Sequence, residues 1–378
     1  MRIAYISTIR TAPWGGSEEL WLQSATDAIG SGHTIGVFAY EWPDEPLPLR
    51  KLREKGASIF KRQRTPSLPT RIVHKLAGRL GAGNALFLNP YKDLLSFRPD
   101  CVVITDGATW YAADDNPLRT LLVQHFSGAY LIISQGNGPY HFPADRAVAI
   151  SFFEKAKKIV FVADKNRRQA FHQLAHRLEN TLIIQNPVNL PSFQPIRFPE
   201  MAQEYIDLAM VGRLTVADKG QDIIISMMAE DYWRNKRIRI HIYGKGGDLE
   251  YIRSLIAFYN VEDKVMVEGH ATVEEIWKEC HGLLMPSIIE GTPLTLMEAM
   301  VLGRVCIATR VGGNDEWIVD GRNGFLVEAP TQELLSAKLK EALDKLDKWP
   351  DIAKAAHVDA IAKLDRRPGN TLLQQIIS

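Results

Sequence analysis

The chain has 378 residues, of which 46% are hydrophobic and 24% charged, and its net charge is +1. That length accommodates two ordinary domains, each with its own core. The near-neutral balance gives no basic footprint of the kind that nucleic-acid binding requires, so no nucleic-acid partner is expected.

From the start of the chain, residues 2–6 read as a buried strand, followed by a loop holding Gly15 and Gly16. Residues 17–29 have helical spacing, with Leu20, Ala25 and Ile29 near one face, and 34–39 read as a second strand. This strand–loop–helix–strand opening is the signature of a doubly wound parallel sheet. Further strands are predicted at 101–104, 130–133, 159–162 and 181–184, with helices near 114–126, 145–157 and 165–178. Their continuous apolar runs suit strands buried on both faces. Cys101, Cys280 and Cys306 lie in or beside such runs, which points to buried reduced thiols and not to a disulfide framework or zinc site. The opening MRIAYIS is too short for a signal-peptide core, and no run reaches the roughly 18 apolar residues of a membrane span. A cytoplasmic location is therefore expected.

Three prolines in the ten residues from Leu190 interrupt the pattern and read as a linker. A second series then predicts strands at 206–211, 238–243, 264–267, 282–286, 305–308 and 324–327, alternating with helices near 219–230, 248–259, 272–280, 293–302 and 331–346. The expected organisation is a first α/β domain over 1–190, a linker over 191–204, a second α/β domain over 205–349, and C-terminal helices over 350–378 packing back across the domains. Residues 50–79 stand apart, with ten Lys or Arg and one acid, Glu54. Within them, Ile72, Leu76 and Leu80 against Arg71, Lys75 and Arg79 fit a basic amphipathic helix. Two readings stay open: peripheral contact of residues 50–80 with an anionic membrane, or a solvated face packed on its own domain.

The chemistry concentrates in the second half. Ser287-Ile-Ile-Glu290-Gly291-Thr292-Pro293-Leu294 leads into a helix carrying Glu298, so two acids stand in an E-x7-E spacing. Thr292 is a good N-cap and Pro293 suits the first helical position, with Gly303 ending the helix. Free N–H groups and the helix dipole at that tip attract phosphate. Glu298 falls beside the apolar face of Leu294, Met297 and Val301, so it needs partners, either a salt bridge or a ligand diol. Arg213 and Lys219, six residues apart after the first strand of the second domain, can converge on one diphosphate. Gly244 lies in the turn Tyr243-Gly-Lys-Gly-Gly247, whose glycines let backbone approach a nucleotide closely, without the spacing of a Walker loop.

The ordered series VGRLTVADKG, IYGKGGDLE and VEGH…MPSIIEGTPLTLMEAMVLGRVCIATRVGGNDEWIVDGRNGFLV, over most of residues 206–328, resembles the retaining GT-B glycosyltransferases of family four. The first domain resembles them more loosely, through Gly15-Gly16 and Gln185-Asn186-Pro187-Val188. The resemblance implies two Rossmann-like domains facing a central cleft. It also implies a nucleotide-diphosphate sugar, UDP- or GDP-linked, as donor, and a glycan or lipid-linked acceptor.

By the same resemblance, Arg213 and Lys219 neutralise the departing diphosphate and Glu290 holds the donor sugar. Backbone from Gly291 and Thr292 through Pro293 to Leu294 meets the phosphate, and Glu298 grips the ribose. Gly16, with Gly15 beside it, lets the first-domain loop approach diphosphate and acceptor. Where many relatives place a sugar-side histidine after a first-domain strand, this chain offers Gln135 and His141. No Asp-x-Asp stands in the expected site, so no metal and no cofactor beyond the donor itself are expected. No candidate carboxylate nucleophile is evident, which favours same-face transfer within an ion pair. The competing readings are a nucleotide-sugar epimerase or phosphorylase of the same architecture, and a non-catalytic nucleotide-sugar-binding subunit.

Overall fold

In a computed structural model, the structure describes residues 1–10, 12–63, 89–136, 138, 140–201 and 204–378. The chain divides into two compact units: Met1–Pro187 together with Asp365–Ser378, and Val188–Leu364. The division lies at Pro187/Val188, so the proline-rich stretch over 191–204 counts with the second unit.

Unit 1 is built on a seven-stranded sheet of order β3-β2-β1-β4-β5-β6-β7. The strands are β1 Arg2–Ser7, β2 Thr34–Tyr40, β3 Ser58–Arg62, β4 Cys101–Asp106, β5 Ala129–Ser134, β6 Lys158–Phe161 and β7 Thr181–Ile183. Every described pairing is parallel, as the continuous apolar runs require. Along β1, Ala4 and Ile6 enter one core while Ile3 and Tyr5 enter the core on the opposite face. The helix Pro368–Ile377 returns to this unit and packs on the helix Glu19–Gly30, burying Leu372, Leu373 and Ile376.

The strand β3 is absent from the sequence-based expectation, which treats residues 50–80 as one basic segment. The helix Leu47–Glu54 and β3 occupy its first part. Arg53 pairs with Glu45 at 2.5 Å, and Arg62 is buried over the rings of Tyr40 and Tyr91. Arg62 is thus committed inside the unit, while Arg53 keeps a half-exposed side chain paired with Glu45. The expected amphipathic helix around Ile72 lies outside the described residues. Among the described residues no helix is long and apolar enough to cross a membrane, and all three cysteines are buried and free.

Unit 2 is built on a six-stranded parallel sheet of order β10-β9-β8-β11-β12-β13. Its strands are β8 Ile206–Val211, β9 Ile238–Tyr243, β10 Val265–Gly269, β11 Gly282–Met285, β12 Val305–Thr309 and β13 Phe325–Val327. The expected helix over 219–230 is split by Gly220 into Val216–Lys219 and Gln221–Met228. The helix Trp349–Lys363 packs on Leu294–Val301.

Arg304, fully buried, fastens the proline-rich stretch to this unit. It donates to the carbonyls of Ile196 (3.1 Å), Arg197 (2.9 Å), Trp277 (2.8 Å from Nε) and Gly303 (2.9 Å). Burial pulls its guanidinium down to about 10, against the opposing pull of Cys280 and Cys306. Arg304→Met keeps the volume but strands the carbonyls, and is expected to destabilise unit 2 by about 3 kcal/mol. Urea unfolding checks this; an unchanged midpoint contradicts it.

Candidate functional site

Because the six-stranded sheet of unit 2 is parallel, the loops after its strands all leave at one edge. The sheet order reverses between β8 and β11, and ligands of open α/β sheets collect at such a reversal. Arg213 and Lys219 follow β8, and Glu290 follows β11, so the topology delivers all three to that point. Lys219 Nζ donates to Glu290 Oε1 at 2.5 Å, across 71 residues of sequence. The Glu290 side chain is 7% exposed and that of Lys219 20%, so the pair is largely withdrawn from water. Arg213 is exposed and has no side-chain partner among the described residues.

The backbone welds these loops together. The N–H groups of Ile288 and Ile289 both donate to the Asp218 carbonyl, at 2.8 and 3.2 Å. Leu214 N donates to Lys245 O at 3.0 Å, and Val216 N to the Asp248 carboxylate at 2.8 Å. Gly244 has φ +144, and a Cβ there would overlap the Gly212 carbonyl. Its missing side chain thus permits close loop-to-loop packing.

The helix tip differs by one residue from the expectation. The helix is Leu294–Val301, with Pro293 at the N-cap position and no side-chain cap, so Thr292 does not cap it. Pro293 brings no N–H, and the first N–H groups of the helix belong to Leu294 and Thr295. Thr292 and Pro293 are buried, while Gly291 and Leu294 are half-exposed at the rim. Glu298 is 9% exposed, with its helix packed on β11 and β12.

A further loop that sequence reasoning left out seats this one. Gly313 N donates to Gly291 O at 2.7 Å, and Thr309 Oγ1 to Ser287 O at 2.6 Å. Gly312, at φ +52, lies where any Cβ would overlap the carbonyls of Glu290 and Gly291. The signal was in the sequence as Gly312-Gly313-Asn314 at the end of a buried strand. Chemically, this edge of unit 2 presents one exposed guanidinium, one ammonium, a helix tip and two shielded carboxylates within a fixed backbone frame. Such a set can take a diphosphate and a polyol.

Of the unit 1 candidates, Gly15 and Gly16 follow β1 at the corresponding reversal, between β1 and β4, whereas Gln135 and His141 follow β5. Gly15 is half-exposed and Gly16 exposed, starting the short turn Gly16–Glu18. Gln135 is committed at both ends of its amide: Nε2 donates to Ser17 O at 3.0 Å, and Oε1 accepts from Asn186 at 2.9 Å. It braces the glycine loop. His141 lies edge-on to Tyr111, ring centroids 5.9 Å apart, and its carbonyl accepts from the Trp110 indole at 3.0 Å.

Glu18, which sequence reasoning passed over, is 3% exposed beside these glycines. Burial raises its carboxyl to about 7, with Glu19 adding to the rise and Ser7 and Trp21 opposing it. Ser7 and Trp21 lie near, yet Oε1 closes no hydrogen bond.

Comparison with known proteins fits this geometry. Residues 193–357 match the family Glycosyl transferases group 1. The Anabaena protein HepE, solved with UDP and glucose, superposes with a TM-score of 0.73 at 18% identity, covering 100% of this chain and 98% of its own. Sucrose-phosphate synthase from Thermosynechococcus elongatus gives 0.74 at 18% identity, again covering 100% and 98%. The fold is GT-B.

Among curated relatives, the Streptococcus pneumoniae UDP-N-acetylglucosamine–peptide N-acetylglucosaminyltransferase GtfA subunit is 32% identical over 31% of this chain and 24% of its own length. The poly(ribitol-phosphate) alpha-N-acetylglucosaminyltransferase of Staphylococcus aureus is 26% identical over 47% of this chain and 37% of its own. The match to the first of these thus spans about a quarter of that relative's length.

Two outcomes follow from the geometry. Gly312→Ala is expected to destabilise unit 2 by about 1–3 kcal/mol, because a Cβ at this positive-φ position must displace the Glu290–Gly291 backbone. Urea unfolding checks it, and an unchanged midpoint contradicts it. For Glu18, the folded chain holds the proton more tightly than the unfolded chain. Its stabilising contribution is therefore complete below the unfolded carboxyl's range and lost as pH rises through about 7. Glu18→Gln should flatten the fall in Tm between about pH 5 and pH 8; an identical pH profile in both proteins contradicts that assignment.

Proposed function

We propose that the chain is a retaining glycosyltransferase of family four that moves a sugar from a nucleotide-diphosphate donor to a hydroxyl of a glycan or lipid-linked acceptor. The observation that carries the reading is the convergence of Lys219 and Glu290 at the reversal of the unit 2 sheet, with exposed Arg213 and the helix tip beside them. Breaking the bond between sugar and phosphate leaves growing negative charge on the diphosphate. Fixed donors aimed at that charge lower the barrier, because they need no reorganisation when it develops. Arg213 supplies a planar two-pronged donor and Lys219 a compact charge. The first N–H groups of the helix after Pro293 complete the cradle.

In this reading Lys219 turns from Glu290 towards the incoming diphosphate, and the carboxylate so released accepts hydroxyls of the donor sugar. Glu298 takes the ribose diol. Two cations and a helix tip offset the leaving group's charge, so the proposed reaction needs no metal. UDP is the favoured nucleotide, since HepE was solved with UDP, and the GtfA relative is named for a UDP-linked sugar. The alpha in the Staphylococcus aureus relative's name agrees with retention from an α-linked donor. Colanic acid and poly(ribitol-phosphate) in the names of relatives support surface glycan assembly as the setting.

Arg213 gives the cleanest test, because its side chain is exposed and unpaired among the described residues. Arg213→Ala should leave Tm unchanged and lower kcat by about a hundredfold or more with UDP-, GDP- or ADP-sugars, whichever donor turns over. Nucleoside diphosphate release that depends on acceptor is the assay. Full activity in this variant sinks the reading. Epimerised nucleotide sugar without diphosphate release would establish the epimerase instead.

A further inference from the structure

Across β8, β9 and β10, the sheet of unit 2 carries a charged cluster centred on His241. The ring bridges two acids: Nε2 lies 2.8 Å from Asp207 Oδ1, and Nδ1 lies 2.9 Å from Glu268 Oε1. The His241 side chain is 16% exposed and that of Asp207 8%, so the first of these bonds is shielded. Arg239 forks onto Asp207, with Nε donating to Oδ1 at 2.8 Å and Nη2 to Oδ2 at 3.1 Å. Tyr243 stacks on the imidazole at 6.3 Å between ring centroids, and Cys280 beside it is a thiol that burial pushes up to about 12. Behind Asp207 stands His281, whose Nδ1 accepts from the Asp207 N–H at 3.2 Å.

A neutral imidazole donates at one nitrogen and accepts at the other, whereas ionised carboxylates only accept. Burial alone would raise Asp207, but the bonds from His241 and Arg239 hold it below the ordinary carboxylate range. An accepting carboxylate on each ring nitrogen calls for an imidazolium. Burial works against that charge, yet the bonds to Asp207 and Glu268 outweigh it and hold the ring above the ordinary histidine value of 6.5. The Glu268 end of this bridge leads to the ligand edge of the sheet. Val267 pairs with Ile242 and Gly269 with Tyr243, so Glu268 is the extra residue of a bulge. Among the described residues, the Glu268 carboxylate has no hydrogen-bond partner but His241. Gly269, at φ +78, then turns so that its carbonyl accepts from Gly244 N at 2.6 Å. Gly244 in turn lies close against the Gly212 carbonyl, and Gly212 precedes Arg213.

We infer that His241, clasped between Asp207 and Glu268, is a positioning residue for the nucleotide site of unit 2. It fixes the bulge at Glu268 and, through Gly269 and Gly244, the loop that presents Arg213. The second ring proton does the fixing: without it one of the two carboxylates loses its donor. Glu268, exposed on the edge strand β10, is the one released, since Asp207 keeps Arg239. The inference rests on the donor reading of unit 2 and adds to it a dependence on pH. A group whose folded value is raised contributes fully below its ordinary value and loses that contribution as pH rises through the folded one. Nucleotide affinity therefore falls on the alkaline side.

The test uses the intact chain with UDP as the probe. NMR of the His241 ring is expected to give a titration midpoint above 6.5. Calorimetry from about pH 6 to pH 9 then compares the wild type with His241→Gln. The ratio of the two affinities cancels the ionisation of UDP itself. Below the NMR midpoint His241→Gln should bind UDP about fivefold more weakly, or worse, and above it the two proteins should converge. Glu268→Gln, a change on the exposed edge that leaves the Asp207 pairing in place, should lower the midpoint and weaken UDP in the same acid range. It decides the matter if His241→Gln does not fold. An affinity ratio constant across pH, or a midpoint at or below the ordinary value, overturns the inference while UDP binding stands. Failure of UDP to bind the wild type at any pH overturns the donor reading, and this inference with it.

Discussion

The contact on which the rest of the site depends is the ion pair between Lys219 and Glu290. It joins the two strands on either side of the sheet reversal in unit 2, and it holds a carboxylate out of water that would otherwise need neutralising. A shielded pair of this kind contributes little net stability, because desolvation consumes most of the attraction. Its value lies in position. The ammonium and the carboxylate are held where a ligand with both phosphate and hydroxyls can replace each partner by a better one. Around the pair, backbone bonds from Ile288 and Ile289 to Asp218, and from Gly313 to Gly291, keep the loops from drifting.

The two units place different residues at the same edge of the same architecture. Unit 2 gathers cations and a helix tip, which suits an anion. Unit 1 instead gathers a buried carboxyl and an amide brace beside Gly15 and Gly16. Both arise at the carboxyl edge of a parallel sheet at the point where strand order reverses. Composition of the loops, not topology, separates them.

Much of this was legible in the residues. Buried strands such as β4 and β12 announce themselves as apolar runs with no polar face, and the E-x7-E helix shows its acids at fixed spacing. What escaped depends on contacts that no local pattern encodes. β3 was hidden because Lys61 and Arg62 made its run read as basic surface, whereas the guanidinium of Arg62 is buried against two tyrosine rings. Thr292 looked like a cap, but the chain enters the helix through an extended Pro293, one residue later. Gln135 was read as a ligand contact, yet Ser17 and Asn186 occupy both ends of its amide. Glu18 follows two conspicuous glycines, and only the packing of Trp21 and Ser7 around it shows that its carboxyl is buried.

The central claim is that unit 2 recognises a diphosphate before it recognises a base. Calorimetric titration with UDP, UMP and uridine at fixed ionic strength tests it most directly. The account predicts affinity falling from UDP to UMP to uridine, with at least about a tenfold loss at the first step, because Lys219, Arg213 and the helix tip address the second phosphate. Equal affinity for UDP and uridine would contradict it.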